Sequence, residues 1–222
     1  MKIINFNLTE FENSKNKKWM LGNNVLYKLC SNFPGHTNPE EIRAKIWLIG
    51  RSYAASIERR SKKNKKHIND DFYDYIVQKF IKFNKEHKFD EKLNKLKNKK
   101  FNEDTLKKVI ALHYELTKFF KKLTGKEKRS LASKYLHFHI PIFPIYDSRA
   151  NNSIKKIVVG KTKINDFTCD EEYSKFCNKI LFLYNYIKDK SGKSSTLREI
   201  DTFLIKNAND MLNKRKEIYK EK

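Results

Sequence analysis

The sequence predicts an all-α fold, and three observations predict it. The 222-residue chain holds six glycines and four prolines, and such sparse punctuation favours long helices over many short strands. Apolar side chains recur at spacings of three and four along most of the chain. Capping residues, Asn38 and Thr196, stand where two such runs begin, and Gly125 stands where one ends. With 39% apolar residues, among them 16 Phe and 11 Tyr, there is ample side-chain volume for a packed interior. A single unit over 1–222 is expected, with two lobes, 1–100 and 101–222.

Taken in order, the first clear helix starts after Asn38. Pro39 suits its first position, and Glu40 and Glu41 favour its positive end. Ile42, Ile46, Ile49, Tyr53 and Ile57 repeat along it, and Trp47, Leu48, Ala54 and Ala55 make its other faces apolar, as in a central helix. The basic run Arg59, Arg60, Lys62, Lys63, Lys65 and Lys66 reads as a loop, solvated or touching phosphates. A second helix is expected over 71–84. Residues 85–100, mostly Lys, Asn and Glu, read as an exposed, weakly held helix or loop. An amphipathic helix over 104–123 carries Leu106, Val109, Ile110, Leu116 and Phe120 near one face and ends at Thr124-Gly125. A short helix over 128–138 follows, and Pro141 and Pro144 then enforce an extended segment. Further helices are expected from near Asp147, over 170–188, and from Ser195, where Thr196 and Glu199 have capping-box spacing. The charged tail 214–222 is expected to fray.

The formal net charge is +23. Self-repulsion of that size opposes compaction, and a polyphosphate backbone is the commonest neutralising partner. The composition, with Lys far exceeding Arg, also fits a diffusely basic surface. No run is long and apolar enough to span a membrane, and Met1 to Thr9 lack a signal peptide's apolar stretch. Cys30, Cys169 and Cys177 are too few and scattered for a disulfide framework or a four-cysteine cluster. A monomer in a reducing cytoplasm, bound to DNA and using no cofactor or metal, is the expectation.

The informative stretch is Leu123 to Ala150, LTGKEKRSLASKYLHFHIPIFPIYDSRA. It reads as helix, glycine turn, short helix, proline loop, then an aspartate at a helix start. A turn between two helices presents backbone N–H groups at the second helix's N-terminus, which attracts phosphate. Lys126, Lys128 and Arg129 surround that turn.

This stretch resembles the helix-hairpin-helix DNA glycosylase superfamily, particularly its 8-oxoguanine-glycosylase-like branches. There a glycine-turn hairpin precedes a short helix, and a proline loop leads to an essential Asp. Pro144-Ile145-Tyr146-Asp147-Ser148-Arg149 is similar to that junction, and Lys128 lies 19 residues before Asp147, about where bifunctional members carry a nucleophilic lysine. Ser133 to Phe138, and Leu197 to Leu204, also resemble a glycosylase-like bacterial group of unassigned function. The hairpin departs from the family pattern: Lys126-Glu127 stand where an apolar residue and a second glycine are usual.

The resemblance implies a two-lobed helical fold that grips DNA and excises a damaged or modified base, in repair or in defence against foreign DNA. A carboxylate such as Asp147 stabilises the positive charge that develops on the sugar, and a lysine of lowered pKa can attack C1′. Lys128 is the first candidate for that lysine and Lys134 the reserve. DNA contacts are expected from Gly125, Lys126, Arg129, Lys134, Arg149, Arg59 and Arg60. Tyr53, Trp47, Phe138 and Phe143 are candidate walls for a flipped base. The residues themselves leave other readings open. Asp147 serves equally as a helix N-cap, which suits a DNA-binding protein without catalysis. His137 and His139 read as structural, since no third ligand stands at convincing spacing. Glu58, Asp70, Asp71 and Asp147 are acidic enough for a metal-dependent nuclease or an RNA-binding factor, without a motif that groups them.

Overall fold

The computed structural model describes residues 1–15, 19–59, 70–162 and 169–220. Within them the protein is all-α: ten helices and one two-stranded antiparallel ladder, β1 (Lys2–Ile3) on β2 (Val158–Val159), with Lys2 opposite Val159. No described helix is long and apolar enough to cross a membrane.

Two helices precede the first one expected. They are α1 (Leu8–Asn13) and α2 (Met20–Asn32). Helix α2 contains Gly22, Asn23 and Asn24 and buries only Leu26 and Cys30, so its apolar period is weak. Helix α3 (Pro39–Ser52) starts as the sequence predicts, with Asn38 accepting the Glu40 N–H at 3.0 Å. It stops short of the predicted length. Ala54 takes a positive φ of 49°, and the Ala55 N–H closes a turn on the Gly50 carbonyl at 2.8 Å. Ile57 is still buried, but by this turn and not by another turn of helix.

Helix α4 (Asp70–His87) extends beyond the predicted 71–84, and α5 (Phe89–Leu96) corrects the expectation for 85–100. Phe89, Leu93 and Leu96 are all buried; three apolar side chains at spacings of four and three anchor a helix whose other faces are charged. Helix α6 (Glu103–Thr124) is capped by Asn102 and Thr105 reciprocally, and ends on Gly125 at φ 71°, the left-handed conformation that favours glycine. Helix α7 (Arg129–His139) follows after four residues, Gly125 among them. Helices α8 (Ser148–Ile157), α9 (Glu171–Ser191) and α10 (Leu197–Lys220) complete the chain. Thr196 and Glu199 form the expected capping box. Helix α10 carries on through the tail expected to fray, a run of good helix formers.

The buried residues form one continuous cluster. Helix α7 lies at its centre, packed on α2, α3 and α6. Phe80, Phe83 and Phe119 stack beside it, with Phe83 and Phe119 centroids 4.4 Å apart. Cys177 and Cys30 are buried in the packing, Cys169 is less deeply buried with its Sγ 2.9 Å from Ser174 Oγ, and no disulfide joins any of the three.

Candidate active-site cleft

Helix α7 and the loop after it bring Asp147 to a fixed place. The Ser133 hydroxyl accepts the Tyr146 N–H at 2.9 Å. His137 donates from Nδ1 to the Phe143 carbonyl at 2.8 Å, leaving Nε2 to accept the Tyr27 hydroxyl at 2.6 Å. Tyr173 donates to the Pro144 carbonyl at 2.9 Å. Burial holds the His137 imidazole down at about 3, so it is neutral and its tautomer is set by these two partners. His137 is thus a core group of α7, and the His139 ring packs at its edge, with centroids 4.9 Å from those of His36 and Tyr135. The loop ends at Asp147, whose Oδ1 accepts the Arg149 N–H at 2.9 Å and caps α8.

The other carboxylate oxygen faces a lysine. Lys134 Nζ lies 3.5 Å from Asp147 Oδ2 and donates to Ser130 Oγ at 2.7 Å. The lysine side chain is 4% exposed and the aspartate 31%, so the pair joins the interior to solvent. Burial pushes the Lys134 ammonium below the ordinary lysine value, against the pull of Asp147 and Asp201. The ammonium lies 5.7 Å from the Tyr53 ring centroid, and the Arg198 guanidinium lies 5.1 Å from the same ring.

These groups line a cleft of about 1290 Å³ between α2 and the 53–59 turn on one side and α7, α8 and α10 on the other. Arg198 pairs with Asp201 at 3.2 Å on its wall. Burial raises the Asp201 carboxyl to about 6, with the nearby Arg198 and Lys134 charges opposing. Lys126, Arg59 and Arg149 also line the cleft. The N-terminus of α7 opens here too, with no capping side chain on its first N–H groups, as a phosphate-binding helix end requires.

Comparison with protein-family models, with curated proteins and with solved structures finds no match for this chain.

Of the residues expected from sequence, the cleft gathers Asp147, Lys128, Lys134, Lys126, Arg129, Arg149, Arg59 and Tyr53. They are not equivalent. Lys128 does line the cleft, but its Nζ donates to the Arg59 carbonyl; burial lowers it to about 8, with Glu58 opposing. Arg129 is held by three carboxylates, Asp170 at 2.6 Å, Glu127 at 3.1 Å and Glu172 at 3.1 Å, so its charge is already neutralised. Gly125 supplies the turn and does not line the cleft.

Three expected base-pocket walls lie elsewhere. Phe143 is in the core. Phe138 is buried behind the wall, 4.8 Å from the Tyr27 ring and 5.4 Å from the Tyr53 ring. Trp47 sits on the solvent side of α3, away from the cleft. Arg60 and the side chains of Asp70 and Asp71 lie outside the described residues. Glu58 pairs with Arg51 at 2.5 Å and accepts the Tyr73 hydroxyl at 2.7 Å. Among the described residues, no three His, Cys, Asp or Glu side chains are grouped to hold a metal ion.

Sequence reasoning passed over Arg198, Asp201, Asn23 and Tyr27. Asn23 Oδ1 accepts the Tyr53 hydroxyl and, at 3.4 Å, Arg198. A signal did exist for Arg198 and Asp201: opposite charges three apart, flanking the apolar stripe of a helix.

Proposed function

We propose that this protein is a DNA glycosylase that takes a flipped nucleotide into the cleft and releases its base. The observation that carries the reading is the Lys134–Asp147 pair, a buried amine and a half-buried carboxylate 3.5 Å apart at the wall of a basic, tyrosine-lined cleft. The helix-turn-helix of α6, Gly125 and α7, and the proline loop leading to Asp147, support the resemblance to the helix-hairpin-helix superfamily.

Lys134, not Lys128, is the amine whose neighbour can take its proton. In the neutral form its nitrogen attacks C1′ while the C1′–N bond breaks. The bonding pair leaves with the base, which is protonated. The departing base takes its proton from solvent, the amine proton passes to Asp147 and from it to O4′ as the C1′–O4′ bond breaks, and the nitrogen pair forms the C1′=N bond of a ring-opened Schiff base on Lys134. Asp147 also stabilises the charge developing on the sugar. A carbonyl, the partner of Lys128, can accept a hydrogen bond but takes no proton at neutral pH.

The test is incubation with duplexes bearing a wide panel of damaged and modified bases, with borohydride present. Abasic product and a covalent adduct are expected, with the adduct lost in Lys134→Met and kept in Lys128→Met. Absence of abasic product across the panel overturns the reading. One observation favours a second reading, a DNA-binding protein without catalysis: Asp147 already has a structural task as the cap of α8. That protein would bind DNA with steep salt dependence and release nothing.

A further inference from the structure

A second groove, of about 980 Å³, lies between α4 and α6 and shares no lining residue with the cleft. Its floor is the stack of Phe83 on Phe119, with centroids 4.4 Å apart. Four residues on in α4 and four back in α6, His87 meets Glu115 at 3.3 Å, so the two helices run antiparallel. Each helix offers the groove the same pair, a tyrosine followed four residues later by a lysine: Tyr75 and Lys79 from α4, Tyr114 and Lys118 from α6. The Lys79 ammonium lies 5.5 Å from the Tyr75 ring centroid, and that of Lys118 lies 4.4 Å from the Tyr114 centroid. Neither lysine makes an ion pair among the described residues. The two carboxylates of the lining are already matched, Glu86 by Lys82 at 3.5 Å and Glu115 by Lys92 at 2.8 Å.

We infer that this groove binds a single strand of nucleic acid, as a site separate from the cleft. The inference stands apart from the glycosylase reading, because nothing in it uses Lys134 or Asp147. A cationic groove that follows a backbone, with aromatic rings on which bases stack, is what single-strand binding without sequence preference requires. Here the unmatched ammonium groups complement phosphates, and the tyrosines, with Tyr75 42% exposed, offer ring surface to bases. A duplex keeps its base faces inside the stack and leaves the tyrosines nothing to hold. An acidic protein segment would answer the lysines and not the rings.

The experiment uses the full chain and a fluorescein-labelled oligothymidylate of about twelve nucleotides, titrated by anisotropy. Tyr75→Ala with Tyr114→Ala is expected to weaken binding roughly tenfold or more, and Tyr75→Phe with Tyr114→Phe to keep most of it, at unchanged Tm. Lys79→Glu with Lys118→Glu should weaken binding well beyond Lys95→Glu with Lys188→Glu, which makes the same change of charge at exposed sites outside both linings. Photocrosslinking a strand that carries 5-iodouracil should give adducts at Tyr75 or Tyr114. Equal losses from the two lysine pairs would mean diffuse charge and sink the proposal. Adducts confined to Tyr27 and Tyr53 would place the strand in the cleft and do the same. So would a glutamate oligomer of similar charge that binds as tightly and depends equally on the two tyrosines. The strand carries no damaged base, so these outcomes are independent of catalysis. Failure of the glycosylase reading shows separately, as absence of abasic product from modified duplexes.

Discussion

Lys45 and Lys134 are the two most deeply buried lysines among the described residues, and the regions around them hold them in different ways. Lys45, on α3, donates to the Phe33 carbonyl at 2.7 Å and the Gly35 carbonyl at 2.6 Å. It ties down the loop that leaves α2, where a cation also meets the negative end of that helix. Burial lowers it to about 8. Burial also lowers Lys134, but its partners are a hydroxyl and a carboxylate at a cleft. The contrast teaches that a displaced lysine pKa does not by itself mark a reactive site. What distinguishes Lys134 is a neighbour able to accept a proton and a path to solvent.

The largest expected effect tests the cleft side of this comparison. Asp147→Asn should lower base release about a hundredfold or more, with duplex affinity little changed, as read by single-turnover assay and binding titration. Asn still caps α8, so the loss would not reflect a broken helix. Equal loss in Lys45→Met would erase the distinction between the two regions.

The paired lysine variants come next. Lys134→Met should abolish the borohydride adduct at small cost in stability, since it removes a poorly solvated charge. Lys45→Met should leave the adduct in place and lower unfolding free energy by roughly 2 kcal/mol or more, because two carbonyls lose a buried donor. Denaturant unfolding beside the trapping assay reads both. If Lys45→Met lost the adduct and kept its stability, the assignment would be reversed.

The two regions also respond oppositely to acid. His36 lies beside Lys45, with Nδ1 2.5 Å from Asp90 Oδ1 and Nε2 accepting the Tyr135 hydroxyl at 2.7 Å. Burial lowers it to about 4. Its folded value is below its unfolded one, so its contribution is present above about 6.5 and is lost as pH falls through 4. Asp201 in the cleft is raised to about 6, so its contribution is present below the unfolded value near 4 and lost as pH rises through 6. Between pH 6 and 4 each changes stability on the order of 1 kcal/mol per pH unit, with opposite sign. The other buried histidines, His113 lowered to about 4 and His137 to about 3, add to the His36 side. Stability should therefore fall on acidification, and more steeply in Asp201→Asn. Urea unfolding at stepped pH checks this, and an unchanged slope in that variant would refute it.

The smallest effect concerns the turn. Gly125→Ala should cost about 1 kcal/mol through its left-handed backbone. Weaker DNA binding beyond that loss would show that the α6–α7 turn positions the grip.

Much of the fold was legible because its signals are local. Asn38, Asn102, Gly125, Asp147, Asp170 and Thr196 mark helix ends through hydrogen bonds within a few residues. Helix α5 was not, because a Lys- and Asn-rich segment hides three apolar anchors whose value appears only against a core. Helix α2 was missed for a related reason. Most of its surface faces solvent or the cleft, so it carries almost no apolar period.

By itself, then, the sequence determined most of the helices from α3 onward and their caps, the turn at Gly125, the strong positive charge and the place of Asp147 at the head of α8. Tertiary structure alone decided which lysine meets that aspartate. Lys128 precedes α7 and reaches back to the 53–59 turn, whereas Lys134, more than a turn into the helix, faces the head of α8. It also decided that Phe138 and Phe143 belong to the core and that Arg198, Asp201 and Trp19 join the cleft. Caps and turns are settled by neighbours in the chain. A cleft is settled by the rotation and packing of helices far apart in sequence, which no local spacing encodes.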